Sequence, residues 1–326
     1  MLVLISFLLS LIRPLIETLI PSIDFASMPD SEQYAKLVDF FRGTGDLDDV
    51  SNAWKIRLLV PLLASIIPLD PITSLNLISL VFNLLSVIIF YKLLERFQFN
   101  LKKRVLGTLM FVFAAPTIVL GFTPLTDTSG IFFILISLYI YQTFNRNIRN
   151  DLILGIVIGI GVLARETVVF IVPVLVLWEV IDKGLKWKEV TLFTACIGAL
   201  AIAIYAYLKL IFAPRPVIGP IIEAEVINNI KDLFDERTLA TIAQLVFILL
   251  VGIYGVYMDI FNKSKMEWKL LLGCACFIIP LGIVFLYENM SFRFLWVFFI
   301  FSIPIFLRGI DKINENGDTS GLKISS

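Results

Sequence analysis

The chain has 326 residues, 58% of them hydrophobic, and a mean hydropathy of +0.91, far above the roughly 45–50% apolar content of an ordinary soluble domain. Lysine plus arginine and aspartate plus glutamate are equal at 27 each, so net charge points to neither nucleic acid nor an acidic partner. Histidine is absent, which excludes Ser-His-Asp and Cys-His schemes and leaves carboxylates as the bases available.

Apolar runs occupy residues 2–21, 72–91, 105–122, 128–144, 152–164, 167–181, 189–212, 239–261, 268–287 and 292–309. At about 20 mainly apolar residues per crossing, they predict about ten transmembrane helices in one all-α, polytopic domain spanning 1–326. The first run lacks a charged n-region and a small-residue cleavage site, so it reads as a retained span. Between it and the second run lies an external segment, 22–57, with helical spacing at Tyr34, Leu37, Val38 and Phe41. That spacing predicts an amphipathic helix lying on the membrane, broken at Gly43-Thr44-Gly45. Residues 53–67, with Pro61 inside and Pro68 and Pro71 after, are too short to cross and read as an interfacial or re-entrant helix. The stretch 152–181 is either one long helix interrupted by Arg165-Glu166 or two crossings with that pair at the tip. Arg146 and Arg149 before it and Lys183, Lys186 and Lys188 after it put both ends in the cytoplasm, so two crossings are expected. A second external segment covers 213–237, and 310–326 forms a short polar cytoplasmic tail. Cys196, Cys274 and Cys276 lie inside apolar runs and read as buried small residues.

With these boundaries the cytoplasmic segments hold 16 basic and 9 acidic residues and the external ones 9 basic and 16 acidic, as the positive-inside rule requires. Both termini are then cytoplasmic, with Trp178, Trp187 and Trp268 at the inner interface.

Each candidate for chemistry has a structural reading beside the functional one. Asp30, in Pro29-Asp30-Ser31-Glu32-Gln33-Tyr34-Ala35, is placed to act as a base, and equally to cap a helix with Gln33 three residues on. Asp127, in Thr123-Pro124-Leu125-Thr126-Asp127, is a base or an N-cap. Arg165-Glu166 sits between two apolar helices and is a functional pair or a structural salt bridge. Arg57 and Arg293, both external and near the lipid surface, either snorkel to headgroups or hold the phosphate of a lipid-linked substrate, which the guanidinium fork fits. Arg215 is a weaker case, and Asn289-Met290-Ser291 is a glycosylation sequon of the kind that arises by chance.

The order of these residues resembles the GT-C superfamily of membrane glycosyltransferases. Asp30-Ser31-Glu32-Gln33-Tyr34-Ala35 is similar to the Asp-Glu-x-x-Tyr-Ala stretch of the aminoarabinose and protein O-mannosyl transferases. Arg57-Leu58-Leu59-Val60-Pro61-Leu62-Leu63 looks like the Arg-x-x-Pro-Leu-Leu segment of GPI mannosyltransferase I. Thr123-Pro124-Leu125-Thr126-Asp127 with Leu138-Tyr139, Leu163-Ala164-Arg165-Glu166 and Arg293-Phe294 are similar to later stretches of the same families. The chain departs from the pattern at Ser31, where the transferases have a second acid, found here at Glu32.

The resemblance implies transfer of one sugar from a polyprenyl-phosphate donor to a lipid, glycan or protein acceptor on the outer face, with inversion. It assigns Asp30 as base, with Glu32 and Asp127 beside it, Arg165, Arg293 and Arg57 to the departing phosphate, and Tyr34 and Glu166 to the surrounding site. No metal is required, although Asp30, Glu32 and Asp127 leave a divalent-cation site open. The setting is the cell membrane in a prokaryote or the endoplasmic reticulum in a eukaryote, facing outside or the lumen. The rival readings are a transporter or lipid flippase, against which no inverted repeat is found, and a non-catalytic membrane scaffold of the same fold.

Overall fold

The computed structural model describes residues 1–10, 29–52, 54–184, 186–212, 241–250, 265–287 and 295–320. Arg293, Arg215, the sequon and the second external segment lie outside them.

Every regular element described is helical. The first is α1 (Leu2–Ser10), followed by α2 (Pro29–Phe41) in the segment 22–57 between the first two apolar runs. A 3₁₀ turn (Leu47–Asp49) and the short α3 (Leu59–Ser65) lead into α4 (Pro71–Arg96). Asp70 starts α4 by accepting the Thr73 N–H at 2.9 Å, with Pro71 at the first helical position, where its missing donor costs nothing. After it come α5 (Leu101–Val112) and α6 (Ala115–Leu120). Asn100 caps α5 by accepting the Lys103 N–H.

The central elements are α7 (Asp127–Thr143), α8 (Ile148–Ala164), a 3₁₀ helix (Glu166–Phe170), α9 (Ile171–Lys183) and α10 (Trp187–Phe212). The remainder comprises α11 (Thr241–Leu250), α12 (Lys265–Tyr287) and α13 (Trp296–Ser320).

Two pairings hold the centre together, α4 against α7 and α8 against α10. Small polar residues line the first: Ser79 donates to the Leu125 carbonyl at 2.9 Å, and Ser86 and Ser137 back-bond to Phe82 and Phe133. Glycines make the second. A Cβ on Gly155 would stand 2.3 Å from the Cys196 carbonyl oxygen, and one on Gly159 would stand 2.8 Å from Ile204. This close approach is how helices associate where lipid removes the hydrophobic drive between them.

The outer surface is apolar. Ile153, Ile156, Ile160, Leu192, Ile202 and Leu210 are all exposed, on a scale soluble monomers avoid. The helices Pro71–Arg96 and Lys188–Leu208 are long and apolar enough to cross a bilayer. This is a membrane protein, and its all-α class is as expected.

Several boundaries differ from the sequence expectation. The run 105–122 is not one helix: it breaks at Phe113-Ala114, ahead of Pro116, into α5 and α6, because proline denies its predecessor the helical conformation. Among the described residues of 53–67 only Leu59–Ser65 is helical, and Arg57 lies just before it. The tail expected at 310–326 continues α13 as far as Ser320. Trp178 is not an interfacial ring but fully buried, its indole N–H donating to the Lys269 carbonyl at 2.6 Å. The cysteines are free and half-buried.

Candidate functional site

Helix α2 is anchored at both ends. Near its N-terminus, the Gln33 side chain accepts the Ser51 N–H at 2.8 Å. Past its C-terminus, Arg42 donates to the carbonyls of Ser65, Ala64 and Ile67 and to the Ser74 hydroxyl. One guanidinium thus satisfies the open carbonyls at the end of α3. Arg42 is a structural residue that sequence inspection missed, because a lone arginine outside a motif carries no signal for a remote carbonyl set.

Asp30 is the second residue of α2, inside its first turn. It is therefore not the N-cap, and Gln33, spent on Ser51, does not close a capping box. A carboxylate in the first turn is still favoured by the helix dipole. Asp30 is half-buried, whereas Glu32 points outward, with a side chain 70% exposed and paired to Lys36 at 3.1 Å. The structure thus separates the two acids of the motif.

One turn after Asp30, Tyr34 is buried to 1% exposure. Its hydroxyl accepts from Arg57 Nη1 at 2.8 Å and lies 3.1 Å from Thr126 Oγ1. Burial pushes the phenol pKa up, against the pull of Arg57 and Arg165, and the Asp30 charge adds to the rise. Tyr34 is accordingly a neutral phenol at physiological pH.

Arg57 does not snorkel. It is buried and grips Glu166 with two nitrogens, Nε donating to Oε2 at 2.8 Å and Nη2 to Oε1, while Nη1 holds Tyr34. Such a bidentate fork is the strongest form of the arginine–carboxylate pair. Burial tends to raise the Glu166 carboxyl, but Arg57, with help from Arg165, outweighs it and brings the pKa down to about 2.

Arg165 and Glu166 form no salt bridge with each other. Arg165 has extended backbone, φ −157° and ψ 127°, at the joint between α8 and the following 3₁₀ helix, so the two side chains diverge as on a strand. Arg165 reaches Asp127, Nη1 to Oδ1 at 2.8 Å, with both side chains only 5% exposed. Its stem lies on Gly130, where a Cβ would come within 3.0 Å of Arg165 Cδ. Asp127 is the first residue of α7, with Thr126 in the cap position, so it too is an ion-pair partner and not a cap.

Of the residues proposed from sequence, Tyr34, Arg57, Asp127, Arg165 and Glu166 converge in one array, and Asp30 stands one helical turn before Tyr34 on α2, where its charge acts on that phenol. Glu32 faces away from it. Among the described residues no group of three or more acidic or cysteine side chains is arranged to hold a metal ion. Thr126 was not singled out by sequence, because a threonine before a helix reads as an ordinary cap.

The array sets α2, with its acidic first turn, beside two buried arginines in a helical membrane domain. Residues 53–208 match the family described as dolichyl-phosphate-mannose-protein mannosyltransferase, a domain of the GT-C superfamily. That stretch contains Arg57, Thr126, Asp127, Arg165 and Glu166, whereas Asp30 and Tyr34 precede it. The match supports glycosyltransferase activity of the mannosyltransferase type in general. No curated protein matches the chain.

Proposed function

We propose that this protein transfers a single sugar from a polyprenyl-phosphate donor to an acceptor hydroxyl on the outer or lumenal face of its membrane, with inversion at the anomeric carbon. The observation that carries the reading is that Tyr34, one helical turn after Asp30 on α2, meets the Arg165–Asp127 pair through Thr126.

In this reading Asp30 takes the acceptor hydroxyl proton as the oxygen attacks the anomeric carbon. The bond from that carbon to the donor phosphate breaks, and its electron pair leaves on the phosphate. A positioned base is worth typically about 10²–10⁴-fold. Arg165 meets the developing phosphate charge, with Arg293 as a second guanidinium, and a preorganised cation of this kind is usually the largest electrostatic contribution. Asp127 holds Arg165 in place before the donor arrives. Arg57, already gripped by Glu166 and Tyr34, shapes the site more than it meets the phosphate. The chemistry needs no metal.

About ten spans, both termini in the cytoplasm and the array at the outer face complete the proposal, supported by the reversal of charge between the two sets of loops. The acceptor is a lipid, glycan or protein.

The test is label transfer in membranes carrying the full chain, with radiolabelled polyprenyl-phosphate mannose and polyprenyl-phosphate glucose as donors. Asp30→Asn should reduce transfer by about 10² or more, since it removes the base. Glu32→Gln should leave it nearly intact. If Glu32→Gln abolishes transfer and Asp30→Asn does not, the base is misassigned by two residues.

A further inference from the structure

Thr126 occupies the N-cap position of α7, yet its side chain makes no capping hydrogen bond. Threonine at this position normally accepts a hydrogen bond from a backbone N–H of the first turn. Here the oxygen is used elsewhere: 3.1 Å from Tyr34 Oη and 3.5 Å from Arg165 Nη1. The main chain of Thr126 is fixed separately, its carbonyl accepting from the Gly130 N–H and the Ser129 hydroxyl. The hydroxyl is thus held between two side chains from distant parts of the sequence, and the helix start goes without its usual side-chain bond.

That hydroxyl closes a continuous path. Glu166 grips Arg57, Arg57 donates to Tyr34, Tyr34 meets Thr126, and Thr126 meets the Arg165 that holds Asp127. Arginine only donates and the hydroxyls do either, so every link is chemically compatible whichever hydroxyl gives its proton to the other. Tyr34 is 92 residues from Thr126 in the chain, and it stands one helical turn from Asp30, the spacing at which helix side chains are neighbours. The bond between these two hydroxyls therefore ties the helix carrying the proposed base to the buried arginine proposed for the phosphate.

We propose that Thr126 is a positioning residue for the sugar transfer proposed above, on which this inference rests: its hydroxyl, through Tyr34, sets the separation between Asp30 and Arg165. It touches neither substrate, so its loss changes the geometry of the step and not the protonation of the base. Small misplacements of this kind cost up to about 10²-fold in rate.

The experiment measures initial rates of label transfer from radiolabelled polyprenyl-phosphate mannose or glucose, over a range of donor concentration and pH, by full-length protein in membranes. The variants are Thr126→Val, which keeps the shape and removes the hydroxyl, Thr126→Ser, Tyr34→Phe and the Thr126→Val/Tyr34→Phe pair. The expected result is a fall in kcat of about 10- to 100-fold for Thr126→Val and for Tyr34→Phe. Donor KM and the acidic limb of the pH profile should stay in place, the double variant should be no worse than the poorer single, and Thr126→Ser should recover most of the rate. Multiplicative losses in the double variant, no rescue by serine, or full activity in Thr126→Val would each overturn the proposal. Melting midpoints of the same purified proteins in detergent separate this from the underlying reading. If the unmodified protein transfers neither sugar while the two substitutions are still non-additive in stability, the reaction is wrong and the tie is real. Additive midpoints remove the tie itself.

Discussion

Arg165 and Glu166 are adjacent in the chain and bind different partners, and the reason is one extended residue. Had the helix continued through them, both would have lain on neighbouring positions of a single turn. The extended backbone at Arg165 instead sends its side chain to Asp127 and Glu166 to Arg57. The Glu166 carboxyl sits at about 2 against an ordinary 4.5. Because the folded value is the lower one, its contribution to stability is complete above about pH 4.5 and is lost as pH falls toward 2. Melting midpoints of the unmodified protein should therefore drop between pH 4.5 and 2 more steeply than those of Glu166→Gln. At pH 7 the variant should be the less stable by about 3 kcal/mol, since it leaves the buried Arg57 without its counter-charge. A slope identical in the two proteins would show that Glu166 does not keep its proton off in the fold. The types of the site residues were legible in the sequence, because charged residues at a membrane edge stand out. Their pairings were not: Arg57 and Glu166 are 109 positions apart, and adjacency suggested the wrong partner for Arg165.

The same contrast holds for the elements. Apolar runs located α4, α7, α8, α9 and α10, because a bilayer-sized stretch of nonpolar residues has few other uses. Helix ends inside those runs were less legible, and the break before Pro116 needed local backbone sterics to find. Packing partners were not legible from hydropathy at all. What sets α8 against α10 is the spacing of Gly155 and Gly159, four apart on one face, a pattern that matters only once the facing helix is known. Gly155→Ala should lower the melting midpoint in detergent by the equivalent of about 1–3 kcal/mol, as overpacking does, because its Cβ would meet the main-chain oxygen of Cys196 and a main-chain atom does not rotate away. Gly198→Ala, on α10, is the control. Its Cβ would touch only Val172 Cγ1 at 3.6 Å, so the substitution should be neutral or slightly stabilising, alanine being the better helix former. Equal losses at both sites would mean that the α8–α10 seam is no closer than an ordinary one.

At the scale of the whole molecule, the proposed reaction needs a sidedness, because the array must lie on the side where the donor presents its sugar. Asp46, exposed just past α2, lies beyond the same end of that helix that Arg42 ties to α3. Lys102, in the first turn of α5, and Lys186, between α9 and α10, are also exposed and belong to basic stretches that the positive-inside rule assigns to the cytoplasm. In a variant with its three native cysteines replaced, a membrane-impermeant thiol reagent applied to sealed cells should label Asp46→Cys and spare Lys102→Cys and Lys186→Cys. All three should react once the membrane is opened. Lys186 is the most informative position, because its side depends on the joint at Arg165-Glu166 being the tip of two crossings and not a bend within one. If Lys186→Cys reacts in sealed cells while Lys102→Cys does not, an odd number of crossings separates them. The two-crossing reading of 152–181 then fails, even though the contacts of Arg165 and Glu166 stay as they are. If Asp46→Cys is the protected one, Asp30 and the arginines face the cytoplasm, and the donor would have to present its sugar on the inner leaflet.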